Sequence, residues 1–290
     1  MIVSGFTFIR NGVRLGYPFV ESIQSVLPIC DEFIVALGDS EDGTRERLAE
    51  LDSTKVRIIP TQWNEAMRFK GYVYGQQKMV AQFCCKGDWA FYLEGDEVVH
   101  EQDLPAIRTA METHLHDSRI EAFAFRYLHF YGSPHHYMAS PGWYRREPRI
   151  VRNTIRSIAP DGLYFVILDP GRRGKRGRYP RARELDATIY HYGHVRSVAK
   201  MRDKIRHVAQ YWSRTDEGIE TYGNVCADFV RTFDGTHPAI IQDWLANEAE
   251  QELSLNPDYR PTRRDVKHRL MMRMESRFGV DLSKKHYHAV

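Results

Sequence analysis

The stretch Gly87-Asp-Trp-Ala-Phe-Tyr-Leu-Glu-Gly-Asp-Glu-Val-Val-His-Glu-Gln-Asp-Leu104 sets an apolar run directly against a burst of carboxylates. Residues 88–95 have the length and aromatic content of a strand buried on both faces. Residues two apart on a strand share a face, so Glu94 and Asp96 are expected to converge and Glu97 to point away. Two carboxylates held together repel unless a positive charge lies between them, and a hard divalent cation such as Mg²⁺ or Mn²⁺ prefers oxygen ligands. The plainer alternative is a solvated acidic turn, with Asp103 capping a helix that starts at Leu104-Pro105.

Working back toward the amino terminus, strand-like and helix-like segments alternate. Residues 2–9 read as a strand. Leu15, Phe19, Ile23, Val26 and Leu27 then recur at helical spacing. Glu32–Leu37 is a second strand, followed by an Asp42-Gly43 turn and a helix, and Lys55–Pro60 is a third strand. A helix over Gly75–Cys85 leads into the opening stretch. This alternation predicts βαβ units and a mostly parallel sheet, whose ligands gather beyond the carboxyl ends of the strands.

Composition bounds the rest. The chain has 290 residues, 42% hydrophobic and 27% charged, with a formal net charge of +3, enough for one large domain with an appendage. That charge is too mild to imply nucleic acid. The four cysteines lack metal-site or disulfide-scaffold spacing, which suits buried free thiols in a reducing, cytoplasmic setting. No window approaches the ~20 apolar residues needed to span a bilayer, and peripheral membrane contact is left open.

The order of "VALGDSEDGT" (Val35–Thr44) and "YLEGDE" (Tyr92–Glu97) resembles the nucleotide-sugar glycosyltransferases of family 2, which have the GT-A fold. The likeness covers Met1 to Asp103. It implies an α/β chain with a GT-A-like catalytic domain over residues 1–195, and the amphipathic helical patterns further on make 196–290 a helical region. It also implies inverting transfer of a sugar from a nucleotide-diphosphate donor to an acceptor hydroxyl, with Mn²⁺ or Mg²⁺ as cofactor and a glycan or lipid-linked glycan as acceptor. Glu94 and Asp96 match the pair that holds the metal and the donor diphosphate. The family's paired aspartates fall on Leu37 and Gly38, so a base-binding carboxylate comes from Asp39, one place later, or is absent, with Asp42 a further donor-binding candidate; Asp42-Gly43 is also an ordinary turn and Thr44 an ordinary cap. "IYHYGHVR" resembles the histidine- and arginine-bearing segment that closes such catalytic domains. It makes His191 the third metal ligand ahead of His194, and places Arg196 and Lys200 at the diphosphate.

Inversion needs a general base, and Glu147 and Asp161 are the candidates by chain order. Trp143 and Tyr144 are candidate sugar-facing rings. The basic run Asp169–Asp186 is a loop over the phosphates, an anionic-acceptor site or a solvated loop. The motifs expected of a nucleic-acid binder do not accompany it. In the last helix, Val266, Leu270, Met274 and Phe278 recur every four residues and are expected to face a core, the alternative being a membrane. A nucleotidyltransferase is the rival enzyme class, but "RNGVRLGYP" (Arg10–Pro18) is not its glycine-rich phosphate loop. A non-catalytic glycan- or nucleic-acid-binding module is the rival outside enzymes.

Overall fold

The computed structural model describes residues 1–51, 54–168, 177–212 and 221–290. Its elements run β1 (Val3–Ile9), α1 (Phe19–Val26), β2 (Glu32–Gly38), α2 (Thr44–Ala49), β3 (Val56–Thr61), α3 (Tyr72–Phe83), β4 (Trp89–Tyr92), β5 (Glu97–Val99) and α4 (Leu104–Thr113). There follow β6 (Ala122–Tyr131), β7 (His136–Met138), β8 (Arg146–Arg152), β9 (Ser157–Ile158), β10 (Val166–Ile167), β11 (Arg181–His194) and α5 (Val198–Ala209). The chain ends with β12 (Val230–Thr232), α6 (Gln242–Glu248), α7 (Arg263–Phe278) and β13 (His288–Ala289).

Strands β4, β1, β2 and β3 lie side by side and parallel in that order, joined by helical crossovers, as the alternation predicts. Their apolar runs are nearly continuous because both faces are covered. Trp89, Phe91 and Leu93 pack on one side with Phe19, Ile23 and Val26 of α1, while Ala90 and Tyr92 pack on the other with Ala81 of α3 and Phe165. Beyond β4 the sheet continues antiparallel through β8 to β6, which pairs in parallel with the fourteen-residue β11. The region after Val195 is not helical alone: β12 joins β7 and β13 joins β11. Among the described residues no helix is long and apolar enough to cross a membrane.

Two expectations about the acidic stretch change. The strand ends at Tyr92, and residues 93–96 turn sharply, closed by Glu97 N–H donating to Glu94 O at 3.0 Å. Strand alternation is therefore reset, and Glu97 does not face away. It enters β5, registered against His191 of β11, which is registered in turn against His129 of β6. Residues side by side in adjacent strands share a face, so Glu97, His191 and His129 form a row. Asp103 makes no cap bond to α4; its carboxylate accepts from Thr188 N at 2.9 Å, tying β11 to that corner.

The α7 stripe also departs from expectation. Val266, Leu270, Met274 and Phe278 are 59%, 58%, 43% and 64% exposed. The helix packs inward instead through His268, Met272 and Glu275, whose side chains meet Ser140, a small apolar cluster and Arg145. All four cysteines are free thiols, three of them buried. Of the basic run, residues 169–176 lie outside the described residues, including Arg172, Arg173, Lys175 and Arg176.

Candidate active site

The acidic turn opens onto a pocket of about 540 Å³ at the carboxyl ends of β1 and β4. Glu94, Asp96, His191, His194 and Lys204 make its polar side, and Phe8, Tyr74, Trp63 and Trp212 its aromatic side. Among the described residues, Glu94, Asp96 and His191 can each direct one ligand atom to a common point, these atoms lying within 4.8 Å of one another. Two carboxylate oxygens and an imidazole suit Mn²⁺, and Mg²⁺ less well.

The tautomer of His191 follows from its neighbours. The carbonyl of Tyr144 can only accept, and it lies 2.7 Å from His129 Nε2, so that nitrogen carries the proton. His129 is kept neutral, because burial first and His191 second hold its pKa well below the usual value. Its Nδ1 is thus an acceptor, 2.8 Å from His191 Nδ1, which must donate. With that proton on Nδ1, the nitrogen left for a metal is Nε2, 3.5 Å from Asp96 Oδ1, the arrangement a metal-ligating imidazole needs. Gly193 belongs to the same design: a Cβ there would come within 2.6 Å of His191 Nε2.

The three carboxylates are balanced by three buried or half-buried cations. Asp96 lies 3.1 Å from Arg196 and 2.9 Å from Lys204. Burial alone would raise its pKa, but Lys204, His191 and Arg196 outweigh burial and hold the carboxyl well below the usual range. Arg149, fully buried on β8, reaches Glu94 at 3.0 Å and Glu97 at 2.6 Å. Glu97 also accepts from Tyr127 Oη at 2.8 Å, and its pKa is lowered because Arg149 overcomes the cost of burial. Glu94, partly exposed to the pocket, is pushed up to about 7 by burial and by the adjacent Glu97. Behind it the Lys78 ammonium lies 3.9 Å from the rings of both Tyr92 and Phe165, and burial lowers its pKa to about 7.

Several residues expected at the site lie elsewhere. Glu147 is fully buried and bonded at 2.7 Å to His286 Nδ1, so it presents no carboxylate to an acceptor hydroxyl entering the pocket. Asp161 lies beside the pocket-lining Gly162 and Leu163, and its Oδ1 accepts from Leu163 N and Tyr164 N. Asp42 is absorbed by the start of α2, accepting from Arg14 N, Thr44 N and Thr44 Oγ1. Asp39 is exposed at the end of β2, its Oδ1 3.5 Å from Arg10 Nε, and Arg10 does line the pocket.

Lys200 is out of phase. Ser197 caps α5, and from that start Met201, Lys204, Ile205 and Val208 face the pocket while Lys200 pairs with Glu248. Arg196 precedes the helix and is spent on Asp96 and Leu15 O. Trp143 and Tyr144 pack against His129 rather than lining the cavity. The residues that sequence reasoning missed are Arg149, Lys204 and His129. Arg149 left a trace in "REPRIVR", where Glu147 and Arg149 alternate with apolar residues on an interior strand.

No family model matches the sequence, and no curated protein matches it. Among solved structures, S. aureus TarS 1–349 in complex with UDP is 17% identical, with a TM-score of 0.38 over 53% of this chain and 47% of that one. A further structure of S. aureus TarS 1–349 gives 14% and 0.39 over 73% and 65%. Glucosyl-3-phosphoglycerate synthase from Mycobacterium tuberculosis, in complex with Mn²⁺, UDP and phosphoglyceric acid, gives 18% and 0.32 over 43% of each chain. The chain thus spans about half the length of the first of these.

Proposed function

We propose that the protein is a metal-dependent glycosyltransferase of GT-A type, taking a sugar from a nucleotide-diphosphate donor to an acceptor hydroxyl with inversion. The observation that carries this is the convergence of Glu94, Asp96 and the Nε2 lone pair of His191 at the mouth of an aromatic-walled pocket beyond the parallel strands. The pocket volume is within the usual range for small-molecule sites, roughly 300–1,000 Å³. Arg10, with Asp39 beside it, and the edge of Trp63 supply polar groups for a base, while Lys204 supplies a cation for phosphates.

Glu94, Asp96 and His191 would hold a divalent cation, which when bound would supply Lewis-acid stabilisation of the departing diphosphate. Asp161, the remaining candidate base, takes the acceptor hydroxyl's proton as that oxygen bonds to the sugar's anomeric carbon. The bond from that carbon to the diphosphate oxygen breaks, and the leaving group departs with the electron pair. The acceptor in this reading is a glycan or lipid-linked glycan, as in polysaccharide synthesis, and the setting is cytoplasmic, where free thiols persist.

The test is a screen of nucleoside diphosphates and their sugars, with and without Mn²⁺, for a rise in melting temperature, followed by product detection. Bound ligand stabilises by mass action, by about 2.7 kcal/mol at a hundredfold excess over Kd. Failure of every nucleotide to stabilise the protein in Mn²⁺ would reject the reading.

A further inference from the structure

The outward face of α7 mixes exposed apolar side chains with basic ones. The helix is capped at Thr262 by a reciprocal bond with Asp265 and runs about 24 Å at 1.5 Å per residue. Each of its acids is turned inward or used at its end: Asp265 takes Tyr259 Oη at 2.8 Å, and Glu275 takes both terminal nitrogens of Arg145 at 2.8 Å. Arg269 pairs with Asp228, and His268 fills the notch at Gly142.

What remains outside on the helix is one strip. Val266, Leu270, Met274 and Phe278 stand exposed along it, and Val280, 46% exposed, follows directly after the turn at Gly279. Interleaved with them are Arg263, Arg264, Lys267, Arg273 and Arg277, all exposed and none in an ion pair with a described residue. No acid lies on this face of the helix.

We propose that this strip is a docking surface for an anionic lipid bilayer. Protein interfaces also enrich Arg, Met and Phe, but a protein partner would have to set acids between apolar pockets in register with five cations interleaved among the apolar tips. A polyanion such as nucleic acid would satisfy the arginines but leave the Leu, Met and Phe tips in water. A bilayer surface accepts both sets at once. Apolar tips enter the headgroup and acyl boundary, while guanidinium groups reach phosphates at the same depth, their methylene stems lying along the apolar side chains. Clusters of four to eight Lys or Arg on a surface helix have the charge density that anionic lipid attracts, and this helix presents five on one face. The surface is separate from the pocket, so the inference stands whether or not the transfer reaction does.

The experiment is flotation of the full chain with vesicles of phosphatidylcholine, with and without phosphatidylglycerol, at low and raised salt. Binding is expected to require phosphatidylglycerol and to weaken as salt rises. Arg273→Gln/Arg277→Gln should lower the partition coefficient roughly 25-fold, at about fivefold per cation. Leu270→Glu/Phe278→Glu should abolish binding, and Phe83→Glu, at an exposed apolar residue on α3, should bind like wild type. All variants should melt with the wild type, because the altered side chains are exposed. The Arg→Gln pair preserves the test if the Glu pair does not fold. Equal binding to both vesicle types, no binding, indifference to the α7 variants, or a dimer that these variants dissociate would each overturn the proposal.

Discussion

Lys204→Met should make the acidic site a better cation site, because in this structure the lysine itself stands where positive charge is wanted. Its Nζ is 2.9 Å from Oδ2 of Asp96, one of the three side chains that would ligate a metal. At an effective dielectric of ~20, unit charges at that separation attract by about 6 kcal/mol, an upper limit that a metal must overcome by displacing the ammonium or sharing the carboxylate. Arg196 still holds Asp96 at 3.1 Å in the variant, so the carboxylate is not left unpaired and the fold should survive. If even a quarter of the attraction is lost to competition, removing it lowers the Kd for Mn²⁺ about tenfold, since ~1.4 kcal/mol is a factor of ten. Titration calorimetry of the nucleotide-free protein, with electron paramagnetic resonance of free Mn²⁺, reads this directly. Lys200→Met is the control, since that lysine pairs with Glu248 and should leave the affinity unchanged. An unchanged or weakened Mn²⁺ affinity in Lys204→Met would refute the competition.

His129→Phe keeps a ring at the position but removes the acceptor that orients His191, and loss of such a supporting contact should weaken Mn²⁺ binding about 10- to 100-fold; wild-type affinity in this variant would show that His191 does not act through its Nε2 lone pair. Glu97→Gln strips Arg149 of a fully buried partner and should cost about 3 kcal/mol in urea unfolding, the range for breaking a buried pair. The pH dependence has a definite sign: Glu97 has a lowered folded-state pKa, so its stabilisation is complete above its unfolded value and is lost as pH falls through the folded one. The wild type should therefore lose more stability than Glu97→Gln between neutral and acid pH, and parallel curves would contradict the assignment.

The parallel half of the sheet was legible because local signals suffice there: β1 to β4 are short apolar runs punctuated by Asp-Gly and by helical periodicity. The acidic turn was legible as a cluster but not in its geometry, since the direction of Glu97 depends on where β4 stops, and four residues of turn are enough to reverse an alternation argument. Arg149 reaches Glu94 from 55 positions away, and no pattern around either residue encodes that meeting. Lys204 was passed over for Lys200 because the phase of α5 is fixed by the Ser197 cap, a one-residue matter that periodicity resolves poorly. The α7 stripe had the spacing of a buried face, but period describes only which side chains share a side, not which side meets the protein.

The row of Glu97, His191 and His129 across β5, β11 and β6 also bears on how the chain folds. The recognisable motif is complete by Asp103, yet the imidazole that belongs with it, His191, is made only 88 residues later, and Lys204 later still. Contacts of such separation pay loop-closure entropy before they return any stabilisation, so they belong to slow, late steps of folding. During synthesis the first four strands can pair while their three carboxylates still lack Arg149, His191, Arg196 and Lys204. Like charge then accumulates at the sheet's edge until β8, β11 and α5 close over it, and the repulsion itself favours that closure over a prematurely settled amino-terminal half. A fragment ending at Thr113 would carry the whole signature and should bind neither Mn²⁺ nor nucleotide.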